Sequence, residues 1–273
     1  MHRQMHGVHA NRQRRFPIIR LVAALFLFAT GARASTSPSV AELAAITKRG
    51  RLLAEYDAAA WHASDAVLAT HPKEGPSNRY IAQKTERGWV VDFGRLNATN
   101  DKFLVVFEAV ESGGQYTVRS FHPVREDSGW KLAAARGIET AKRDFHGADR
   151  PYNVAVLPAE GEGLYVYLYP AHVTEGVYPL GADVRYRVSS DGTKITEKRQ
   201  MHKSIIDSVA GRTDVKVESG YHTHVLSDIP EDTDVLLVLT RQPHVPEVVV
   251  TPNYMYTISI VGKITVADRP SAK

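Results

Sequence analysis

The 273-residue chain contains no cysteine. It therefore has no disulfide bond, no thiolate metal ligand and no cysteine nucleophile. A chain of this length can bury a core large enough to fold without disulfide bonds. Any transition-metal site must be built from histidine and carboxylate side chains, and the chain has 12 histidines and 30 acidic residues.

Long apolar runs and phosphate-binding loops are also missing. The most apolar run, residues 21–29, is about half of the roughly 20 residues that cross a bilayer. The glycine pair Gly161 and Gly163 is too short a pattern for a loop that cradles phosphates. These absences argue against a membrane-spanning segment and against a nucleotide-binding loop.

What the sequence does have first is a basic N-terminus without acids. Five arginines precede the apolar run at residues 21–29, and Ala32 and Ala34 then match the small-x-small pattern that signal peptidase requires. We predict a cleavable signal peptide at residues 1–34 and a working chain that begins near Ser35. We expect general secretion to deliver this chain to the periplasm or the extracellular space, with no transmembrane anchor after processing.

The predicted signal peptide also carries the excess positive charge. The whole chain has 34 Lys+Arg, 30 Asp+Glu and an isoelectric point of about 9.2. Six arginines and no acids lie in residues 1–34, so their removal leaves 28 basic and 30 acidic side chains, a net charge of −2. The basic isoelectric point is then no argument for a nucleic-acid partner, and we expect none.

Apolar patterns predict an α+β fold of antiparallel meanders with a few packing helices. Ser39 and Glu42 have the spacing of a capping box at the start of a helical region, residues 37–69, which Gly50 is expected to divide. A second helix is predicted at residues 130–145. The expected organisation is an N-terminal part at 35–149, a β-rich C-terminal part at 150–266 and a loose tail at 267–273.

An aromatic strand stands out in the second half. Tyr165, Tyr167 and Tyr169 share one face of the strand predicted at residues 164–169. Packing in the core is the simpler interpretation, and a ligand platform such as a glycan shelf is the alternative.

Residues 221–234 combine metal-ligand residue types at a useful spacing. They begin at the end of a strand predicted at 215–222, and in a strand His222 and His224 would point to the same face because side chains alternate. Asp234 can return to these imidazoles if the intervening loop folds back. Two histidines and one carboxylate, with a fourth position open for water, form the usual arrangement of catalytic zinc. The remaining histidines, His202 among them, form no spacing motif.

The run Gly-Tyr-His-Thr-His at residues 220–224, followed by a loop with Pro230 and then by Asp234, resembles the motif of the JAMM (MPN+) metallopeptidases. The resemblance implies a zinc-dependent hydrolase of amide bonds, with zinc held by the two histidines and Asp234. It also implies a glutamate on an upstream strand as general base, for which Glu162 is the first candidate and Glu160 the second. The substrate would be a peptide or a component of the cell envelope.

The segment departs from that motif in two places. Asp234 lies ten residues after His224, one fewer than in the family, and Glu231 stands where the family has an oxyanion-binding serine. A glutamate there would repel the developing negative charge. The alternative is a non-enzymatic exported binding or envelope-associated protein with a similar fold. A His-x-His pair also occurs on sheet faces without metal, and residues 230–234 also match an ordinary helix start.

Overall fold

The computed structural model describes residues 38–72, 79–209 and 216–268. The predicted signal peptide, its cleavage site and the end of the predicted tail lie outside these residues. The described residues belong to one compact unit. Within the described ranges, no helix is both long and apolar enough to cross a bilayer.

Three helices occur in the described residues: α1, Val40–Ala69; α2, Trp130–Asp144; and α3, Asp232–Thr240. The Ser39 half of the predicted capping box is present, since the Glu42 N–H donates to Ser39 Oγ at 3.0 Å. The predicted break at Gly50 is wrong, because α1 is continuous through it. A Cβ at Gly50 would lie 2.5 Å from Val235 Cβ, so the glycine lets α1 and α3 pack closely.

The first half of the chain forms one antiparallel meander in the order β1–β2–β3–β4. Its strands are β1, Tyr80–Thr85; β2, Gly88–Leu96; β3, Phe103–Ser112; and β4, Gln115–Asp127. The second half begins with strands β5, Tyr152–Pro158; β6, Leu164–Pro170; β7, Val177–Gly181; β8, Val184–Val188; β9, Ile195–Gln200; and β10, Ile205–Val209. They form an antiparallel sheet, β5–β6–β8–β9, and a separate antiparallel pair, β10–β7.

The last sheet has the order β11–β12–β13–β14 and lies beside the candidate site. Its strands are β11, Gly220–Thr223; β12, Glu247–Val250; β13, Tyr254–Ile258; and β14, Ile264–Asp268. β11 and β12 are parallel because α3 connects them, and the other pairs are antiparallel. β11 is shorter than predicted. Gly220 pairs with Glu247, and the residue before Glu247 is Pro246, which has no N–H to extend the pairing. The predicted α+β class with antiparallel sheets is confirmed.

The core joins the two predicted parts of the chain. One cluster packs Tyr56 and Phe107 from the first part against Tyr167 and Leu236 from the second. A further cluster packs the first turns of α1 against α3 and the last sheet. Tyr165, Tyr167 and Tyr169 are all buried, so the core-packing interpretation of the aromatic strand is confirmed.

Candidate metal centre

Four buried side chains from three separate segments meet beside the last sheet. His202 follows β9, His222 lies on β11, His224 comes directly after β11, and Asp234 lies in the first turn of α3. One potential ligand atom from each lies within 4.8 Å of all the others. The structure therefore brings together the three predicted ligands and adds His202, which the spacing argument missed.

The distances among these atoms suit a single small cation. His202 Nε2 lies 2.9 Å from His224 Nε2 and 3.0 Å from Asp234 Oδ1. His222 Nε2 lies 3.1 Å from His224 Nε2 and 3.1 Å from Asp234 Oδ1. His224 Nε2 lies 3.2 Å from Asp234 Oδ2. Ligands around a tetrahedral ion, with bonds of about 2.0–2.1 Å, are about 3.3 Å apart, which is close to this spacing.

The Nδ1 atom of each imidazole is held by an acceptor. His222 Nδ1 lies 2.7 Å from Glu247 Oε1, and His202 Nδ1 lies 2.8 Å from Asp183 Oδ1. His224 Nδ1 donates to the Ile229 carbonyl at 3.0 Å, and a carbonyl oxygen only accepts. When these rings are neutral, each proton is on Nδ1 and each lone pair is on Nε2. Such outer partners are typical of histidines that bind metals.

The outer carboxylates are themselves fixed. Arg241 Nη1 donates to Glu247 Oε2 at 2.5 Å, and the Thr233 hydroxyl donates to Asp183 Oδ2. A Cβ at Gly220 would overlap Glu247 Oε2, so the glycine makes room for this ion pair against β11. The orientation of the imidazoles is thus built into the packing around them.

The N-terminus of α3 positions Asp234. The Glu231 N–H donates to Asp234 Oδ2 at 2.7 Å, and the Glu231 side chain accepts the N–H of Asp234 in return, which completes a capping box. The helix-start interpretation is therefore correct, and it is compatible with a ligand role for Asp234. Arg199 binds the Glu231 carboxylate with two hydrogen bonds of 2.8 and 2.6 Å, so the charge of Glu231 is paired.

The formal charges of the cluster call for added positive charge. Asp183, Asp234 and Glu247 are three buried carboxylates, and Arg241 is the cation that pairs with one of them. Neutral histidines would leave two negative charges uncompensated. A divalent cation, or two protons, would neutralise them.

Without a metal, His202 and His222 would bind protons. Burial opposes the charged form of His202, but Asp183 and Asp234 outweigh it and raise the pKa of His202 well above its ordinary value. Burial likewise opposes the charged form of His222, yet Asp234 and Glu247 raise its pKa to about 9. Burial alone would raise the pKa of Asp234, but the charges of His202 and His224 hold it well below the usual range.

The two glutamates predicted as general base are not part of this cluster. Both lie in the turn between β5 and β6. The histidines come from the loop after β9 and from β11 with the residue that follows it. The exposed Glu160 carboxylate accepts from Tyr165 Oη at 2.8 Å and pairs with Arg49 at 3.4 Å. Glu162 is exposed, and its backbone carbonyl accepts from Arg187 at 2.9 Å. Within the described residues, neither carboxylate contacts a ligand of the cluster.

A signal for His202 was present in the sequence. The Asp191-Gly192 pair, which is typical of tight hairpins, joins β8 to β9, and their register pairs Val184 with Gln200. One step further along that register, the Met201 N–H donates to the Asp183 carbonyl at 3.0 Å. Extending the hairpin would have brought Asp183 next to His202.

Comparison of the chain with protein-family models, with curated proteins and with solved structures finds no match. The resemblance to JAMM metallopeptidases therefore depends on residues 220–234 alone. Any function must be argued from the site itself.

Proposed function

We propose that this chain is an exported, non-enzymatic binding protein that holds one zinc ion in a His₃Asp centre. The observation that supports it is the convergence of three imidazole Nε2 atoms on Asp234, with every Nδ1 held by an acceptor. Three lone pairs and a carboxylate at this spacing repel one another unless protons or a metal cation lie between them. Zinc suits four nitrogen and oxygen donors in a tetrahedral arrangement, whereas Cu(II) and Ni(II) favour square-planar sites.

The closed shell supports a structural role for the ion. Four protein donors fill a tetrahedral shell, and a catalytic zinc keeps one position open for water. The ion would join three separate segments: the loop after β9, the β11 strand and the start of α3. Because such a site forms only in the folded chain, metal binding would add directly to the free energy of unfolding.

Metal analysis of the purified protein tests this proposal. We expect near-stoichiometric zinc in the protein, and none in a His222→Ala/His224→Ala double variant that retains the circular dichroism of the fold. A His62→Ala/His244→Ala variant, which removes two exposed imidazoles, is the matched control and should keep its zinc. A protein that stays zinc-free after incubation with zinc would overturn the proposal.

Hydrolysis of amide bonds, as the JAMM resemblance implies, is a second candidate function. His202 is the most exposed of the four side chains, at 8 % against 2 %, 1 % and 0 % for the others, and it belongs to a loop. Its partner Asp183 borders a cavity of about 80 Å³. If His202 moved away, His222, His224 and Asp234 would remain. These are the three zinc ligands that the JAMM resemblance implies, and the fourth position would be free for water.

An activity assay separates the two functions. The hydrolase predicts turnover of peptides or of crosslinked cell-wall peptides by the zinc-loaded protein, and loss of that turnover in Asp234→Ala. The structural role predicts no turnover above the variant background while zinc is bound. Turnover that survives removal of the metal would contradict both.

A further inference from the structure

A second polar site lies in a cleft between α1 and the loop after β6. The cleft has a volume of about 520 Å³, within the range of small-molecule sites, and its wall includes Asp57, Trp61, Tyr80 and His172. It shares three lining residues, Asp57, Asn153 and His172, with the 80 Å³ cavity that reaches Asp183.

Asp57 supplies a carboxylate to this shared wall. Its Oδ1 atom accepts from Tyr169 Oη at 2.7 Å and from Asn153 Nδ2 at 3.3 Å. In the described part of the chain, Oδ2 has no hydrogen-bond donor, and no lysine or arginine lies within ion-pair distance of the carboxylate. Burial raises the pKa of Asp57, although the two hydrogen bonds and His172 act in the opposite direction. The structure thus leaves a partly buried carboxylate without a strong counter-charge.

Aromatic rings line the same two cavities as that carboxylate. Tyr80 and Trp61 line the cleft, where Trp61 has 65 % of its surface exposed. Tyr169 and Tyr178 line the 80 Å³ cavity, and Tyr178 stacks on His172 with ring centroids 4.6 Å apart. The face of an aromatic ring attracts a cation, and the attraction is strongest for tryptophan. A carboxylate among such rings is suited to a cationic ligand.

We propose that this cleft binds a ligand with a primary ammonium group, such as a lysine side chain. Oδ1 already accepts two hydrogen bonds, so Asp57 offers one free oxygen, which suits a point charge such as ammonium. A guanidinium group would require two free oxygens in one plane for a bidentate pair. The inference names a ligand for the proposed binding role and does not depend on the metal.

Isothermal titration calorimetry tests it with matched probes. Nα-acetyl-lysine methylamide should bind at least tenfold more tightly than the uncharged Nα-acetyl-norleucine methylamide, and more tightly than Nα-acetyl-arginine methylamide. Asp57→Asn should lose at least tenfold in affinity for the lysine probe, and Trp61→Ala should lose several-fold. Asp65→Asn, at an exposed aspartate on the same helix, is the control and should bind as the wild type does.

Zinc content, measured on the same samples, separates this inference from the metal proposal, because every variant named should retain the metal content of the wild type. Equal binding of the lysine and norleucine probes would overturn the inference, as would unchanged binding to a folded Asp57→Asn. Tighter binding of the arginine probe would overturn the choice of ammonium. The inference would also be overturned if the lysine probe gave no saturable binding heat up to about 10 mM, a concentration that detects even weak binding.

Discussion

Asp232 and Asp234 begin the same helix, and both are fully buried, yet their partners differ in kind. Asp232 accepts from Arg49 Nε at 3.0 and 3.1 Å, from Arg185 Nη1 at 2.6 Å and from Tyr167 Oη at 2.9 Å. Asp234 instead faces three imidazoles at 3.0–3.2 Å.

The difference is between permanent and exchangeable charge. A guanidinium is charged at every pH at which the protein folds, so the chain alone satisfies Asp232. An imidazole is charged only when it binds a proton, so Asp234 depends on protons or on an added cation. Burial of a carboxylate therefore does not by itself indicate a metal site, and the chemistry of its neighbours decides.

The largest expected effects come from removing each carboxylate in turn. Asp232→Ala should lower the free energy of unfolding by ~3–5 kcal/mol, because Arg49 and Arg185 lose their buried partner. It should retain its zinc. Asp234→Ala should lose the zinc, and its thermal unfolding should no longer respond to a chelator. Metal analysis and thermal unfolding, each with and without chelator, measure both results.

These two variants also test whether the comparison is correct. If Asp232→Ala lost zinc while still folded, the two carboxylates would form one coupled site. If the unfolding temperature of the wild type did not respond to a chelator, the His₃Asp cluster would be a proton-bound polar core without a metal.

The second prediction concerns pH. Since the pKa values of His202 and His222 are raised, the latter to about 9, both rings hold protons at neutral pH without a metal. Zinc must displace them, so its affinity should fall as pH falls, by roughly tenfold per pH unit for each proton displaced. Calorimetry in buffers of different ionisation enthalpy measures the released protons. Zinc binding without proton release at pH 7 would contradict this assignment.

The third prediction concerns the residues that orient the histidines. Glu247→Gln and Asp183→Asn should each weaken zinc binding about 10–100-fold, because the acceptors at His222 Nδ1 and His202 Nδ1 are weakened. Glu160→Gln, which alters an exposed acid in the network of Asp232, should leave zinc affinity unchanged. Competition with a chromogenic chelator measures the affinities. An equal loss of zinc affinity in all three variants would mean that the loss is not specific to the carboxylates that contact the histidines.

The sequence predicted the parts of the site that depend on local geometry. His222 and His224 follow from the two-residue period of a strand, and Asp234 follows from its short separation along the chain, which lets the intervening loop fold back. Both patterns lie within residues 221–234, so no long-range pairing had to be known. The helices and the antiparallel hairpins were predictable for the same reason.

The missed residues depend on contacts between distant elements. His202 reaches Asp234 from 32 residues away, and its position is set by the pairing of β8 with β9 and by the packing of that sheet against α3. Glu247 reaches His222 through the parallel pairing of β11 with β12. The predicted helix break at Gly50 was wrong for a similar reason. This glycine allows α1 to pack closely against α3, and that contact joins elements far apart in the sequence.

Asp57 is a third type of buried carboxylate, with tyrosine and asparagine donors but neither a guanidinium nor a cluster of imidazoles. Burial, the largest influence, raises its pKa above the unfolded value of 3.8 against the opposing effects of Tyr169, Asn153 and His172. The protonated form is therefore favoured on folding, and the wild type loses this stabilisation as pH rises through the raised pKa. An amide in place of this carboxylate carries no charge to desolvate, so we expect Asp57→Asn to be the more stable protein at neutral pH.

This smallest effect has a distinctive pH dependence. The stability difference between Asp57→Asn and the wild type should be near zero below about pH 3.8, where the carboxyl is protonated in both states, and should grow as the pH is raised towards neutrality. Urea unfolding from pH 3 to 8 measures it, with Asp65→Asn as the exposed control. An amine probe at a fixed concentration should stabilise the wild type more than Asp57→Asn, because only the wild type offers the ammonium a counter-charge. A difference that is constant across this range would mean that Asp57 has a partner in solution that supplies its missing charge, and the contrast with Asp232 would then disappear.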